Sequence, residues 1–150
     1  FPHDRWEKII ALNMNAVFYM SQLAGKTMLA QKYGKIINIA SMTAFFASVL
    51  IPAYSASKGG VAQITKALSN EWAGQGVNVN AIAPGYMATE LTANIKEVNP
   101  KQYEEITSRI PAGRWGRMED LQGLAVFLAS DASSYISGAV IPVDGGFMGK

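Results

Sequence analysis

Three short runs rich in β-branched residues, separated by segments of helical length, most constrain the fold of this chain. The runs are KIINIA at 35–40, VNVNAIA at 77–83 and AVIPVDGG at 139–146. A short apolar run bounded by turn residues is typical of a strand that is buried on both faces. Helical patterns cover about 5–31, 53–73 and 120–130, with a polar, helix-prone insertion at 88–110. This alternation predicts right-handed crossovers between the strands of a parallel α/β sheet.

The composition excludes several kinds of active site. The 150 residues include no cysteine, which rules out disulfides, thiolate ligands and cysteine nucleophiles within the chain. A single histidine, His3, argues against a metal site and against a Ser–His–Asp triad. We therefore expect no metal, and chemistry based on hydroxyl, amine and carboxylate groups.

Charge and hydropathy argue against two classes of partner. The net charge is +2, and the basic residues alternate with acidic ones, so no basic stripe indicates a nucleic-acid partner. No apolar run approaches the roughly 20 residues that span a bilayer. We expect a cytoplasmic protein that binds neither nucleic acid nor membrane.

The stretch YSASKGG at 54–60 places Tyr54 and Lys58 four residues apart, on one face of a helix. Lys58 shares that face with apolar residues, which is costly unless its charge is used or its ammonium reaches water. An ammonium about 5 Å from a phenolate stabilises it by roughly 3 kcal/mol at an effective dielectric constant near 20. Tyr54 is therefore a candidate general base. Gly59 and Gly60 each weaken the helix, so we expect either the close approach of a backbone or ligand there or local strain.

Other polar residues follow the predicted strands or interrupt apolar segments. Ser41 comes directly after the first strand, where open α/β sheets bind ligands, although a loop or capping role is also open. Asn13 is an amide in an otherwise apolar helix, either a hydrogen-bonded core residue or a functional one. In PGYMAT at 84–89, Pro84 ends a strand and Gly85 would let a ligand approach the backbone.

The segments ASMTAFFASVLIPAYSASK, VNVNAIAPGYMAT and GAVIPVDGG, in this order and at these spacings, resemble the short-chain dehydrogenase/reductase family. The resemblance runs from Trp6 to Gly146. It implies a Rossmann-like, doubly wound parallel sheet, with residues 1–150 forming a single partial domain. The family's glycine-rich T-G-x-x-x-G-x-G turn and its N-N-A-G segment are absent from the chain. We therefore expect the C-terminal part of a longer domain, without the N-terminal strands and the dinucleotide-binding turn, and little activity from these residues alone.

The resemblance implies a role for each candidate residue. Tyr54 would exchange a proton with the substrate oxygen, which Ser41 would also hold. Lys58 would assist Tyr54 and, together with it, contact the nicotinamide ribose. Asn13 would support a water-mediated proton relay to Lys58. The remaining cofactor contacts would come from Pro84, Gly85, Met87 and Thr89. We expect NAD as the cofactor, with NADP also open.

The segments NEWA, RIPAGRWG and VFLASDASSYISG resemble members of the family that act on sugar acids. The implied activity is hydride transfer between a nicotinamide cofactor and a secondary alcohol or ketone of a sugar acid. There are three alternatives. The protein could oxidise gluconate, it could have another activity of the family such as 3-oxoacyl reduction, or it could be an inactive truncated fragment that forms oligomers. A hydrolase using Ser41 is disfavoured because no G-x-S-x-G elbow surrounds it. Three arginines could bind a substrate carboxylate: Arg109, Arg114 and Arg117. For Arg114 the family resemblance implies a structural role instead.

The segment 5–31 is apolar around most of its circumference, which predicts burial on two sides, against the sheet and against another subunit. The family resemblance implies a homo-tetramer or homo-dimer through the helices at 5–31 and 53–73.

Overall fold

Three parallel strands form one sheet in chain order. The computed structural model describes residues 1–90, 92 and 94–149. The strands are β1 (Gly34–Ile39), β2 (Val77–Pro84) and β3 (Val140–Val143). Ile36 lies opposite Val79, and Ile82 lies opposite Ile141. The predicted parallel α/β sheet is confirmed, with its last strand ending before the DGG turn.

Helices connect the strands, within two residues of the predicted bounds for the long segments. They are α1 (His3–Ile10), α2 (Ala16–Gln31), α3 (Pro52–Trp72), α4 (Ile95–Val98), α5 (Pro100–Ser108) and α6 (Glu119–Ala129). A π-helical turn, Ala11–Asn15, joins α1 to α2, so the predicted single helix contains one irregular turn. The predicted insertion at 88–110 includes Leu91 and Ala93, which lie outside the described residues.

Helices α2 and α3 pack on one face of the sheet. Ile36 and Val79 point towards this layer and pack with Leu68 and Trp72 of α3. Burying a large apolar side chain contributes about 1.5–3 kcal/mol, so this cluster is a main source of stability. The two helices approach closely because Gly25 has no side chain: a Cβ there would lie 2.6 Å from the Trp72 ring.

Helix α6 contacts β1 and β2 from the other face and buries Leu128. Because side chains alternate along a strand, Asn80 points away from the α3 layer. Its amide nitrogen donates to the Ile136 carbonyl at 2.9 Å, and its amide oxygen accepts from the Ala139 N–H at 3.0 Å. The buried amide thus fixes the chain that leads into β3.

An aromatic cluster covers the carboxyl end of the sheet. Trp115 stacks on Tyr103 with ring centroids 5.2 Å apart, and it also contacts Tyr86. Met42, Ile110 and Phe147 complete the buried part of this cluster. The loops that leave β1, β2 and β3 are therefore packed together at the edge where open α/β sheets bind ligands.

Candidate active site

Ser41 lies two residues beyond the carboxyl end of β1 and is buried. It caps a short 3-10 turn, and its Oγ accepts a hydrogen bond from the Thr43 N–H at 3.2 Å. The predicted capping role is therefore present. Accepting this bond uses a lone pair of the oxygen and leaves the hydroxyl hydrogen for a further partner.

Tyr54 and Lys58 occupy the first turns of α3, on one face as their spacing predicts. Pro52 begins this helix, where its missing N–H costs nothing. The Lys58 Nζ lies 5.8 Å from the centroid of the Tyr54 ring and donates to the Ile39 carbonyl at 2.8 Å. Burial of the ammonium lowers the pKa of Lys58 below its ordinary value. The Lys58 side chain is half-buried, and its ammonium is held by the backbone carbonyl of Ile39.

Asn13 lies in the π-helical turn and reaches α3 through a residue that the sequence patterns did not single out. Its Nδ2 donates to the Ser57 Oγ at 3.4 Å, and the Ser57 hydroxyl donates to the Tyr54 carbonyl at 2.7 Å. Ser57 is fully buried. Asn13 is thus a half-buried, hydrogen-bonded amide that is connected through Ser57 to the backbone of Tyr54.

The two glycines after Lys58 differ from each other. A Cβ on Gly60 would overlap the Met14 Sδ, so the Met14 side chain of the preceding helical segment packs directly against this glycine. A Cβ on Gly59 would meet nothing within 4 Å in the described structure. The expectation of a close neighbour is therefore confirmed within the chain for Gly60 only.

The loop after β2 is held by backbone bonds to the RIPAGRWG segment. The Ala88 N–H donates to the Gly116 carbonyl at 2.8 Å, and the Gly116 N–H donates to the Tyr86 carbonyl at 2.9 Å. These two bonds form an isolated parallel bridge that fixes Met87 between them.

Two further residues define this loop. Thr92, which sequence reasoning missed, donates to the Met87 carbonyl at 2.7 Å and accepts from the Thr89 N–H at 2.9 Å. A Cβ on Gly85 would lie 2.7 Å from the Asp144 Cα. The lack of a side chain at Gly85 therefore admits Asp144 on that side, and a contact of the Gly85 backbone with a ligand stays a prediction.

One cleft of about 320 Å³ brings most of the predicted residues together. Its lining includes Ser41, Tyr54, Lys58, Pro84, Gly85, Met87 and Thr89. Apolar side chains form other parts of the wall. Thr43, a residue not predicted, also lines the cleft, and its buried hydroxyl has no hydrogen-bond partner among the described residues.

Asn13 lines a neighbouring cavity of about 520 Å³ rather than this cleft. Lys58 and Ile39 belong to both linings. The structure therefore places the lysine between the cleft that holds Tyr54 and the cavity that holds Asn13.

Arg114 is used in a structural contact. Its guanidinium donates to both carboxylate oxygens of Asp120, at 2.7 and 2.9 Å, and to the Trp115 carbonyl at 3.1 Å. The hydrogen bonds from Arg114 hold the pKa of Asp120 well below its usual range. This pairing leaves Arg114 poorly suited to bind a substrate carboxylate.

Two kinds of feature are absent from the part of the chain that the structure describes. In residues 1–90, 92 and 94–149, no three histidine, cysteine or acidic side chains cluster as metal ligands would. None of the helices in that part of the chain has both the length and the apolar character needed to cross a bilayer.

Known proteins resemble the chain over its whole length. A family model described as enoyl-(acyl carrier protein) reductase matches residues 1–148. The 2-dehydro-3-deoxy-D-gluconate 5-dehydrogenase of Bacillus subtilis (strain 168) is 50% identical over 150 residues, which are 100% of this chain and 59% of that protein. The chain thus spans less than two thirds of this relative, and its correspondence to the C-terminal part stays a prediction.

Solved structures match the fold equally well. A proposed NAD(P)-dependent gluconate 5-dehydrogenase from Beutenbergia cavernae, with NADP bound at low occupancy, has a TM-score of 0.97 and 47% identity, covering 100% of this chain and 60% of that one. A proposed 2-deoxy-D-gluconate 3-dehydrogenase from Agrobacterium tumefaciens, with bound NADP, has a TM-score of 0.96 and 44% identity, covering 100% and 61%. The fold, the family model and the identities agree with the motifs: the chain belongs to the short-chain dehydrogenase/reductase family.

Proposed function

We propose that this chain is part of an oxidoreductase that interconverts a secondary alcohol and a ketone of a sugar acid with a nicotinamide cofactor. One observation carries the proposal: the hydroxyls of Ser41 and Tyr54 and the ammonium of Lys58 line one cleft with the loop after β2. Carbonyl reduction needs a proton donor, a hydrogen-bond donor to the carbonyl oxygen and a nearby positive charge. The nicotinamide supplies or accepts the hydride when it is bound.

The proton chemistry is assigned to Tyr54, with Ser41 beside it. In alcohol oxidation the phenolate of Tyr54 accepts the proton of the substrate hydroxyl, and in ketone reduction the phenol returns it. Ser41 donates its hydroxyl hydrogen to the same substrate oxygen, because its own oxygen is already engaged by the Thr43 N–H. Lys58 places a positive charge beside the ring where the phenolate forms.

A proton relay from Lys58 past Asn13 is supported by the neighbouring cavity. Both side chains line it, and its volume of about 520 Å³ is sufficient for several water molecules. Polar groups that waters require are available there from Asn13, Asn38 and Lys58. Ser57 keeps the Asn13 amide in place, as a positioning residue rather than a catalytic one.

The residues present fit the nicotinamide end of a cofactor. Pro84 and Met87 offer apolar surface for a flat ring, while Lys58 and Tyr54 offer donors for ribose hydroxyls, all within one cleft. Gly85 and Thr89 complete this part of the lining. Both related structures carry NADP, which favours NADP over the NAD that the sequence resemblance suggested.

The names of the relatives favour a sugar acid as the substrate. The curated relative is a 2-dehydro-3-deoxy-D-gluconate 5-dehydrogenase, and the two solved structures are proposed dehydrogenases of gluconate and 2-deoxy-D-gluconate. These names support a sugar acid over the 3-oxoacyl alternative, and they leave the particular sugar acid open.

A second candidate function is assembly, and the surface of α2 favours it. Tyr19, Met20 and Leu23 are 57%, 65% and 58% exposed, although each carries a large apolar side chain. Exposed apolar helix surfaces of this kind are typical of subunit contacts. We therefore propose a homo-tetramer or homo-dimer whose subunits contact each other through the segment 3–31 and α3. An inactive oligomerisation fragment would form the same contact.

An activity assay on the intact protein separates these candidates. The protein would be incubated with D-gluconate or 2-dehydro-3-deoxy-D-gluconate and with NADP or NAD, and nicotinamide reduction would be followed by absorbance. We expect turnover with at least one sugar acid and faster turnover with NADP. If light scattering detects oligomers and no sugar acid is turned over, the assembly function is favoured instead.

A further inference from the structure

Arg109 is a positively charged residue beside the cleft that the proposed chemistry does not use. It directly follows α5, and its guanidinium carbon lies 4.6 Å from the centroid of the buried Phe147 ring. The side chain is exposed on its other side. A stacked guanidinium of this kind is held in place through its flat face.

The charge of Arg109 has no carboxylate partner in the part of the chain that the structure describes. The ion pairs found there are Lys8 with Asp4 and Arg114 with Asp120. Stacking on Phe147 leaves the N–H edges of the guanidinium available, and these edges match a carboxylate in a bidentate geometry. The charge of the Arg109 guanidinium is thus not paired with a carboxylate in the described residues, whereas the charge of Arg114 is paired with Asp120.

The guanidinium borders a recess of about 270 Å³ that is otherwise apolar. The recess is lined by Phe45, Phe46, Arg109, Phe147 and Met148. The recess is open to solvent and the Arg109 side chain is exposed, so an ion pair formed there is only partly shielded from water. An anion of small size with an apolar or hydroxylated tail suits these surroundings.

The recess and the cleft share a wall. Phe46 belongs to the lining of both, and its ring stacks on Phe147 with centroids 6.0 Å apart. Tyr86, another residue of the cleft lining, contacts the Phe147 ring edge-on at 5.4 Å. Arg109 thus lies on the other side of an aromatic wall that the recess shares with the cleft holding Ser41 and Tyr54.

We propose that Arg109 is the residue that binds the substrate carboxylate and so selects sugar acids over neutral polyols. The inference rests on the proposed function for the position of the reacting carbon, and it adds the residue that recognises the acid group. Two charge-assisted hydrogen bonds at a partly shielded site correspond to about a 10- to 100-fold difference in affinity.

The test measures binding as well as turnover, on the intact protein with NADP present. The probes are D-gluconate and D-glucitol, its neutral counterpart with a hydroxymethyl group in place of the carboxylate. Isothermal titration calorimetry gives the affinities, and steady-state assays give kcat and KM. The variants are Arg109→Met and Arg109→Lys, with Arg5→Met as the control, since Arg5 also stacks on a phenylalanine ring but lies on α1.

We expect wild-type protein and Arg5→Met to bind gluconate more tightly than glucitol. Arg109→Met should lose about 10- to 100-fold in gluconate affinity, mainly through KM, without a change for glucitol. Arg109→Lys keeps the positive charge but loses the planar, bidentate donor geometry. Its gluconate affinity should therefore lie between those of wild type and Arg109→Met.

Three results would overturn the inference: equal affinity of the wild-type protein for both probes, unchanged gluconate binding in Arg109→Met, or an equal loss for both probes. Failure of the proposed function looks different. In that case gluconate would still bind in an Arg109-dependent manner, yet no hydride transfer to or from any sugar acid would be observed.

Discussion

The ammonium of Lys58 donates a hydrogen bond to the carbonyl oxygen of Ile39, 2.8 Å away, at the carboxyl end of β1. This bond ties the first turns of α3 to the strand that precedes Ser41. It explains how a charged side chain can lie on the apolar face of a helix: the backbone oxygen compensates part of the desolvation cost. The same bond keeps the ammonium between the cleft with Tyr54 and the cavity with Asn13.

Replacing Lys58 with methionine should lower the catalytic activity and raise the stability of the folded state. We expect kcat to fall by about 10²-fold or more, because the charge beside Tyr54 is lost. Burial lowers the folded-state pKa of Lys58 below 10.5, so the ammonium destabilises the folded state at every pH below that folded pKa. Lys58→Met should therefore be more stable than wild type at pH 7 in urea denaturation.

This stability difference should shrink as the pH rises through the folded pKa of Lys58 towards 10.5, because the lysine is then neutral in both states. An advantage of the variant that is independent of pH would indicate a packing effect instead.

Ser57→Ala should disturb Asn13 and, through it, the reaction. The variant removes the hydroxyl that links the Asn13 amide to the Tyr54 carbonyl, and we expect about 1–2 kcal/mol of destabilisation. A several-fold decrease in kcat at unchanged KM should accompany it. Ser69→Ala is the matched control, because Ser69 is also buried in α3 and bonds Ser137 at 2.7 Å. If both variants lose stability but neither loses kcat, Ser57 has no positioning role.

The two adjacent glycines should respond to alanine with opposite signs. Gly59→Ala should stabilise the monomeric chain by up to about 1 kcal/mol, since its Cβ enters open space and helix propensity improves. Gly60→Ala should destabilise by about 1 kcal/mol or more, because Met14 must move. Thermal unfolding measures both. If the intact protein forms oligomers, a destabilising effect of Gly59→Ala there would place this position at a subunit contact. Equal effects of the two variants in the monomer would contradict the packing of Met14 against Gly60.

The pair between Arg114 and Asp120 should contribute stability that depends on pH and salt. The Asp120 pKa is depressed below 3.8, first by the hydrogen bonds from Arg114 and then by the Arg117 N–H. Its contribution is therefore complete above the unfolded pKa and is lost as the pH falls through the folded pKa. Asp120→Asn should lower the melting temperature at pH 7, and less so in strong acid or high salt. A difference that stays constant as the pH falls from 7 to well below the unfolded pKa of 3.8 would show that the carboxylate charge is unimportant.

Local patterns were sufficient for the parts of the site that depend on sequence spacing. Tyr54 and Lys58 share a helix face because they are four residues apart, and Ser41 and Pro84 lie where strands end. These positions follow from the periods of helices and strands, which any reading of the sequence can use.

Interactions between distant residues were not predictable in the same way. In the sequence, Ser57 has no feature that distinguishes it from other helix residues. Its role depends on the hydrogen bond from Asn13, which is 44 positions away and comes close only in the fold. The π-helical turn that carries Asn13 has no signature in composition or periodicity. The role of Gly85 also depends on a distant partner, Asp144, which only the packing of β2 beside β3 brings close.

The most direct test of the central claim is hydride transfer by the intact protein carrying Tyr54→Phe. Tyr33→Phe is the control, because it removes an equivalent hydroxyl from an exposed site where it bonds Asp131. Turnover of a sugar acid should fall by about 10²–10⁴-fold in Tyr54→Phe alone, while NADP binding and the melting temperature stay near the wild-type values. Near-normal turnover by Tyr54→Phe would contradict the assignment of Tyr54 as the group that exchanges a proton with the substrate.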